Sequence, residues 1–241
     1  MTVSNTEDSM SKRLHERGRS VWEAAHRHPM ISDIASGRLP HEVFRFYFAQ
    51  NIMYLEEYAR SIAFVIAKAP DVEAIVVLNR FLAQIAEHEI PANHEFLRRL
   101  GGEPLARALD DMTSVNYNYT RHLLYATSQL SPAAGLAALL PCQWSYGEIA
   151  TRLVAKKPDD PIYADWIALF ANPAYDELVA DSVSLLDRMA EHELVSVEDI
   201  APLFDRSSQY ELAFWQMAYT QGKDDVASPV DRSAAHEGHH S

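Results

Sequence analysis

Residues 41–68, HEVFRFYFAQNIMYLEEYARSIAFVIAK, decide the fold. Their apolar positions are too continuous for a helix with one wet face, so the segment is expected to run through the middle of a helical bundle. Upstream, Met10, Leu14, Val21, Trp22 and Ala25 recur among charges and predict an amphipathic helix over about 8–27, stopped near Pro29. Downstream, a third helix is expected from about Asp71 through LNRFLAQIAEHEIPANHEFLRRL. Pro91 should kink or divide it, because proline has no N–H to donate, and Gly101-Gly102 should end it. Further helices are expected over about 113–129, 132–156 (with Pro141 inside), 161–170 and 173–193. Ser196 and Asp199 read as a capping pair opening a last helix through SQYELAFWQMAY. Nothing alternates as a strand does. The expectation is one all-α domain over 8–220, between a flexible segment 1–7 and a polar tail 221–241.

Composition narrows the function. Hydrophobic residues are 48% and charged residues 23%, which suits a globular chain better than disorder or a membrane bundle. No run of about 18 apolar residues appears, and the opening MTVSNTEDSMSKR has no apolar signal core, so a cytoplasmic location is expected. With 21 Lys plus Arg against 34 Asp plus Glu, the formal charge of -13 opposes nucleic acid and anionic membrane as partners. The single cysteine, Cys142, excludes an internal disulfide or a thiolate cluster.

Cys142 stands in LPCQWSYGEI, and on a helix Tyr146 shares its face four residues on. Two roles are open to it: a nucleophile whose thiol must lose its proton, or a small buried side chain that fills space. Glu211, in SSQYELAFW, is either a carboxyl whose pKa burial raises into the range for general acid work, or a surface glutamate on a helix edge. The aromatics Tyr47, Tyr54, Tyr58, Tyr117, Tyr119, Trp144, Tyr146, Phe170, Phe214 and Trp215 either line a pocket for a planar ligand or form ordinary core. EHEIPANHE raises metal chemistry through Glu87, His88 and His94, with Glu148 as a further carboxylate. The spacing lacks the repeated Glu/His pairs at i and i+3 of a helical di-iron site, so no metal is expected. His236, His239 and His240 in the tail define no centre.

Several stretches together resemble the thiaminase II, or TenA, family of aminopyrimidine aminohydrolases: FRFYFAQNIMYLEEYA, SVNYNYTRHL, ALLPCQWSYGEI, PIYADWIALFANPAYDELV and SSQYELAFWQMAY. The likeness covers roughly residues 14–220. It implies an all-α bundle similar to haem oxygenase but without haem, a homotetramer, and a cofactor-independent enzyme of thiamin salvage. Such enzymes hydrolyse 4-amino-5-aminomethyl-2-methylpyrimidine to the hydroxymethyl compound and cleave thiamin. By motif, Cys142 is implied as nucleophile, Tyr146 as the tyrosine contacting it, and Glu211 as the group exchanging protons with the ring. Tyr54 and Tyr117 are implied as pocket tyrosines, and Phe214 as the wall beside Glu211.

Two positions depart from the family pattern. Asn51 stands where QDxxYL has aspartate, and Phe170 where a pocket tyrosine is expected. An amide still accepts from an amine and donates to a ring nitrogen, but it holds no charge. Three readings therefore stand: a Cys142-dependent aminopyrimidine hydrolase, a hydrolase of another amino-heterocycle, and a non-catalytic pyrimidine- or thiamin-binding protein on the same scaffold.

Overall fold

The computed structural model describes residues 9–102, 111–156 and 158–224, and among these it contains ten α-helices and no strand. The N-terminal segment 1–7 and all but the first four residues of the tail 221–241 lie outside the described residues. The helices are α1 (Met10–His26), α2 (Pro29–Ala35), α3 (His41–Ile66), α4 (Val72–Ala83), α5 (Ile90–Arg99), α6 (Ser114–Gln129), α7 (Pro132–Leu153), α8 (Pro161–Phe170), α9 (Pro173–Glu193) and α10 (Val197–Thr220). A π-helical turn, Gln84–Glu89, joins α4 to α5. Among the described residues no helix is long and apolar enough to cross a membrane.

The two most continuously apolar segments take the two central places. Helix α3 packs against α4, α5, α6, α7 and α10, and α7 against α3, α6, α8, α9 and α10. Expected boundaries agree closely for most helices, and the Ser196–Asp199 capping box forms reciprocally. The short α2 was not expected. It starts on Pro29, which suits the first helical position, and it is capped by the His28 ring accepting from the Met30 N–H.

The two interior prolines are accommodated differently. Pro91 follows a turn widened to π geometry, in which the Ile90 N–H reaches back to the Ile85 carbonyl. Phe81, Ile85, Glu89 and Asn93 are all buried. Steps of four drift around a regular α-helix, and the wider turn reduces that drift, keeping Glu89 and Asn93 on the inward side. At Pro141 helix α7 continues without a break. Side chains supply donors to the carbonyls beside it: Ser207 Oγ donates to Ala138 O at 2.7 Å and Tyr58 OH to Leu139 O at 2.7 Å.

Polar contacts also set the height of α6 against α3. Asn116 Nδ2 donates to Gln50 O at 2.8 Å and to Gln50 Oε1 at 3.0 Å, and the Thr113 N–H donates to Gln50 Oε1 at 3.1 Å. This fixes which residues of α6 reach the interior.

Candidate active site

Cys142 lies at the middle of α7 facing the bundle interior. It retains 8% of its surface, while Leu136 to Leu140 on the preceding turn retain none. Burial pushes the thiol well up, the charge of Glu211 pushes it further, and the Tyr54 and Tyr58 hydroxyls pull it back. The proton of Tyr58 is already committed to Leu139 O. The Tyr54 hydroxyl makes no hydrogen bond of normal geometry to the described residues, so its proton is free for sulfur or for a ligand. At rest the sulfur is a thiol, and a base must take its proton before it attacks.

Glu211, on α10, is a carboxyl of the kind that can serve as one. Its carboxyl is buried, accepts from Tyr119 OH at 2.6 Å through Oε1, and is hydrogen-bonded by the Cys142 thiol. Burial raises its pKa to about 7 against the pull of those two donors. A carboxyl poised there takes or gives a proton near neutral pH at little cost. Tyr119 in turn stacks on Tyr210 and lies against Tyr54.

Asn51 is buried on α3. Its Nδ2 donates to Asn93 Oδ1 at 3.0 Å, and Asn93 Nδ2 donates to the Glu89 carbonyl at 2.8 Å, which fixes both amides' orientations. Asn51 Oδ1 and its second N–H are left for a ligand. Phe214 meets Tyr47 and Tyr54 with ring centroids at 6.2 Å and 5.6 Å. Phe170 meets Tyr146 edge-on at 5.1 Å and also packs on Tyr175, so it extends the aromatic wall without adding a hydroxyl. The Tyr146 hydroxyl pairs with Tyr47 OH at 3.0 Å and feels the Cys142 sulfur, and the Tyr54 and Tyr58 hydroxyls also bear on that sulfur.

Two sequence expectations need correction. Tyr117 does not enter the interior: it is 44% exposed and lies beneath the Arg121 guanidinium at 5.1 Å. Tyr119, two residues on and therefore on the other side of α6, takes the inward place. Its buried companions Asn116, Thr120, Leu123 and Ala126 form the stripe that marks that face. Trp144 also leaves the group of interior aromatics, stacking on His15 at 4.7 Å on the outer side of α7.

Of the acidic and histidine cluster, Glu87, His88 and His94 are all exposed, and Glu148 sits beside Trp144 with His15, His26 and Arg152. Among the described residues no group of three or more His, Cys, Asp or Glu is placed to hold a metal ion. The residue that sequence reasoning passed over is Glu89. Its signal was the four-residue repeat from Phe81 and Ile85, overshadowed by the neighbouring Glu87 and His88.

Residues 15–221 match the TENA/THI-4/PQQC family model, and the chain belongs to that family. It is 30% identical over 217 residues to an aminopyrimidine aminohydrolase of Halalkalibacterium halodurans, covering 88% of this chain and 96% of that one. Its structure is similar to a TenA homologue of P. horikoshii, with TM-score 0.80, 27% identity, and coverage of 89% and 100% of the two chains. A domain from Shewanella denitrificans with a haem-oxygenase-like fold superposes with TM-score 0.65 at 13% identity over 90% of this chain and 98% of that one, a likeness of fold alone.

Proposed function

We propose that the protein is a cysteine-dependent hydrolase of small aminopyrimidines, converting 4-amino-5-aminomethyl-2-methylpyrimidine to its hydroxymethyl analogue and cleaving thiamin at the same carbon. The observation that carries this reading is the buried pairing of the Cys142 thiol with a Glu211 carboxyl poised near neutrality. The named activity of the relative from Halalkalibacterium halodurans supports it.

The chemistry follows from the residues. Asn51 offers a carbonyl to the substrate's amino group and an N–H to the adjacent ring nitrogen, a bidentate match to a neutral aminopyrimidine edge. Tyr54, Phe214 and Phe170 enclose the flat ring. Glu211 takes the thiol proton as sulfur attacks the electron-poor ring, and gives it to a ring nitrogen. The aromatic system is broken, and its electrons expel the amine or thiazole from the exocyclic methylene. Water adds to that methylene, and loss of sulfur restores the ring and the thiol. The covalent adduct supplies the electron flow, so the steps use only side chains of this chain.

The test is a mass-resolved assay of the purified protein with 4-amino-5-aminomethyl-2-methylpyrimidine and, separately, thiamin, beside Cys142→Ser. Conversion by wild type and a loss of at least about 1,000-fold in the variant are expected. Tight reversible binding without conversion by folded wild type would overturn the enzyme reading in favour of a binding protein.

A further inference from the structure

Glu89 is a second buried carboxyl that the steps above do not use. It closes the π turn, an uncommon element that a chain keeps where a side chain must be re-aimed. Among the described residues its one hydrogen-bond donor is Gln84 Nε2 at 3.4 Å, a long contact for a group removed from water. Across the interior, Tyr47 on α3, Cys142 on α7 and Tyr175 on α9 all sense its charge. On its own turn Glu87 and His88 point outward. Its backbone carbonyl holds the Asn93 amide, which holds Asn51. Glu89 thus belongs with Asn51, whereas Glu211 belongs with Tyr119 and the thiol.

That division matches the substrate under the function proposed above, on which this inference rests. With Asn51 on the amino edge of the ring, the carbon bearing the aminomethyl group is the next ring atom. In that orientation the aminomethyl group would lie on the side of Asn51, whose amide is tied through Asn93 to the Glu89 turn, and the ring nitrogen and sulfur would lie on the side of Glu211. We propose that Glu89 is the proton-transfer residue at the leaving group, acting first as acid and then as base. With the amine bound in its neutral form, the methylene C–N bond breaks, its electron pair goes to nitrogen, and that nitrogen takes the Glu89 proton and leaves as ammonia. Water then adds its oxygen to the methylene and returns a proton to the Glu89 carboxylate, so the carboxyl is restored and the sum is amine plus water to alcohol plus ammonia. Burial raises this carboxyl to about 8 against the weak pull of Gln84, so at neutral pH it holds the proton the first step needs.

Thiamin separates this role from a structural one. Its thiazolium departs as neutral thiazole and needs no proton. In Glu89→Gln, kcat on the aminomethylpyrimidine should fall about 100-fold or more while kcat on thiamin falls only a few-fold. The wild-type kcat on the aminomethylpyrimidine should also fall as pH rises through about 8, where the acid form is lost, and the variant should lack that limb. Glu89→Asp, which keeps a carboxyl, should stay closer to the wild-type ratio of the two rates, and circular dichroism and melting curves check that each variant is folded. Equal losses on both substrates, no loss on either, or an alkaline limb that persists in Glu89→Gln would overturn the assignment while leaving the hydrolase reading intact. Wild type that converts neither substrate would overturn both.

Discussion

Titratable groups lie on two sides of helix α7, and the two sides treat them in opposite ways. On its outer side Glu148 accepts from His15 at 2.6 Å and lies 3.6 Å from both His26 and Arg152. Burial pushes that carboxyl up, but the His15 hydrogen bond and the charges facing it outweigh burial and the net shift is downward, while His26, pushed down to about 4 by its own burial, is neutral near pH 7. On the inner side Cys142, Glu211 and Glu89 are buried among tyrosines, with burial the largest influence on each, and all three are pushed up. One side holds a fixed ion pair, and the other holds exchangeable protons. Burial alone therefore does not make a reactive group; burial without a compensating cation does.

Removing the inner carboxyl is the strongest challenge to this contrast. Glu211→Gln preserves shape and should lower kcat by about 100-fold to 1,000-fold with a much smaller change in KM, read by steady-state kinetics. An unchanged kcat would mean that another group moves the proton. A finer test uses the two tyrosines of α6. Tyr119→Phe removes a donor that pulls the Glu211 carboxyl down, so the limb for Glu211 ionisation should move up by about one pH unit. Tyr117→Phe, on the exposed side, should leave that limb in place. Equal shifts in both would contradict the placement of Tyr119.

The outer side should show the smallest effects, and in stability rather than rate. Glu148→Gln should cost on the order of 1 kcal/mol at pH 7 by denaturant melts, given that the pair is partly exposed, and leave kcat unchanged. A carboxyl with a lowered folded pKa stabilises above its unfolded pKa and loses that contribution as pH falls through the folded value. The gap between wild type and variant should therefore close in acid. Glu89 has the opposite sign. Its contribution is full below the unfolded pKa and is lost as pH rises through about 8, so Glu89→Gln should gain melting temperature relative to wild type across that interval.

The contrast also shows what the sequence conveyed. A long apolar run marked α3 as central, and Ser196 with Asp199 marked the start of α10, because these are local patterns. Family motifs pointed to Cys142, Glu211, Asn51, Phe170 and Phe214, which the structure brings to one interior. NYNY did not reveal which tyrosine turns inward, since two residues apart on a helix means opposite sides; the choice is made by the Gln50–Asn116 contacts that set α6 against α3. Glu89 stayed hidden because its inward aim depends on the π turn, a departure from helical register without a residue signature other than Pro91.

The most direct test of the central claim concerns the resting state of the sulfur. Because Cys142 is the single cysteine, the ultraviolet thiolate absorbance of wild type minus Cys142→Ser reports that site alone. No thiolate step is expected as pH rises through neutrality and past the ordinary thiol range, because burial and the Glu211 charge hold the thiol well up until its proton is taken during reaction. A thiolate step below about pH 8 would show a preformed nucleophile and contradict that claim.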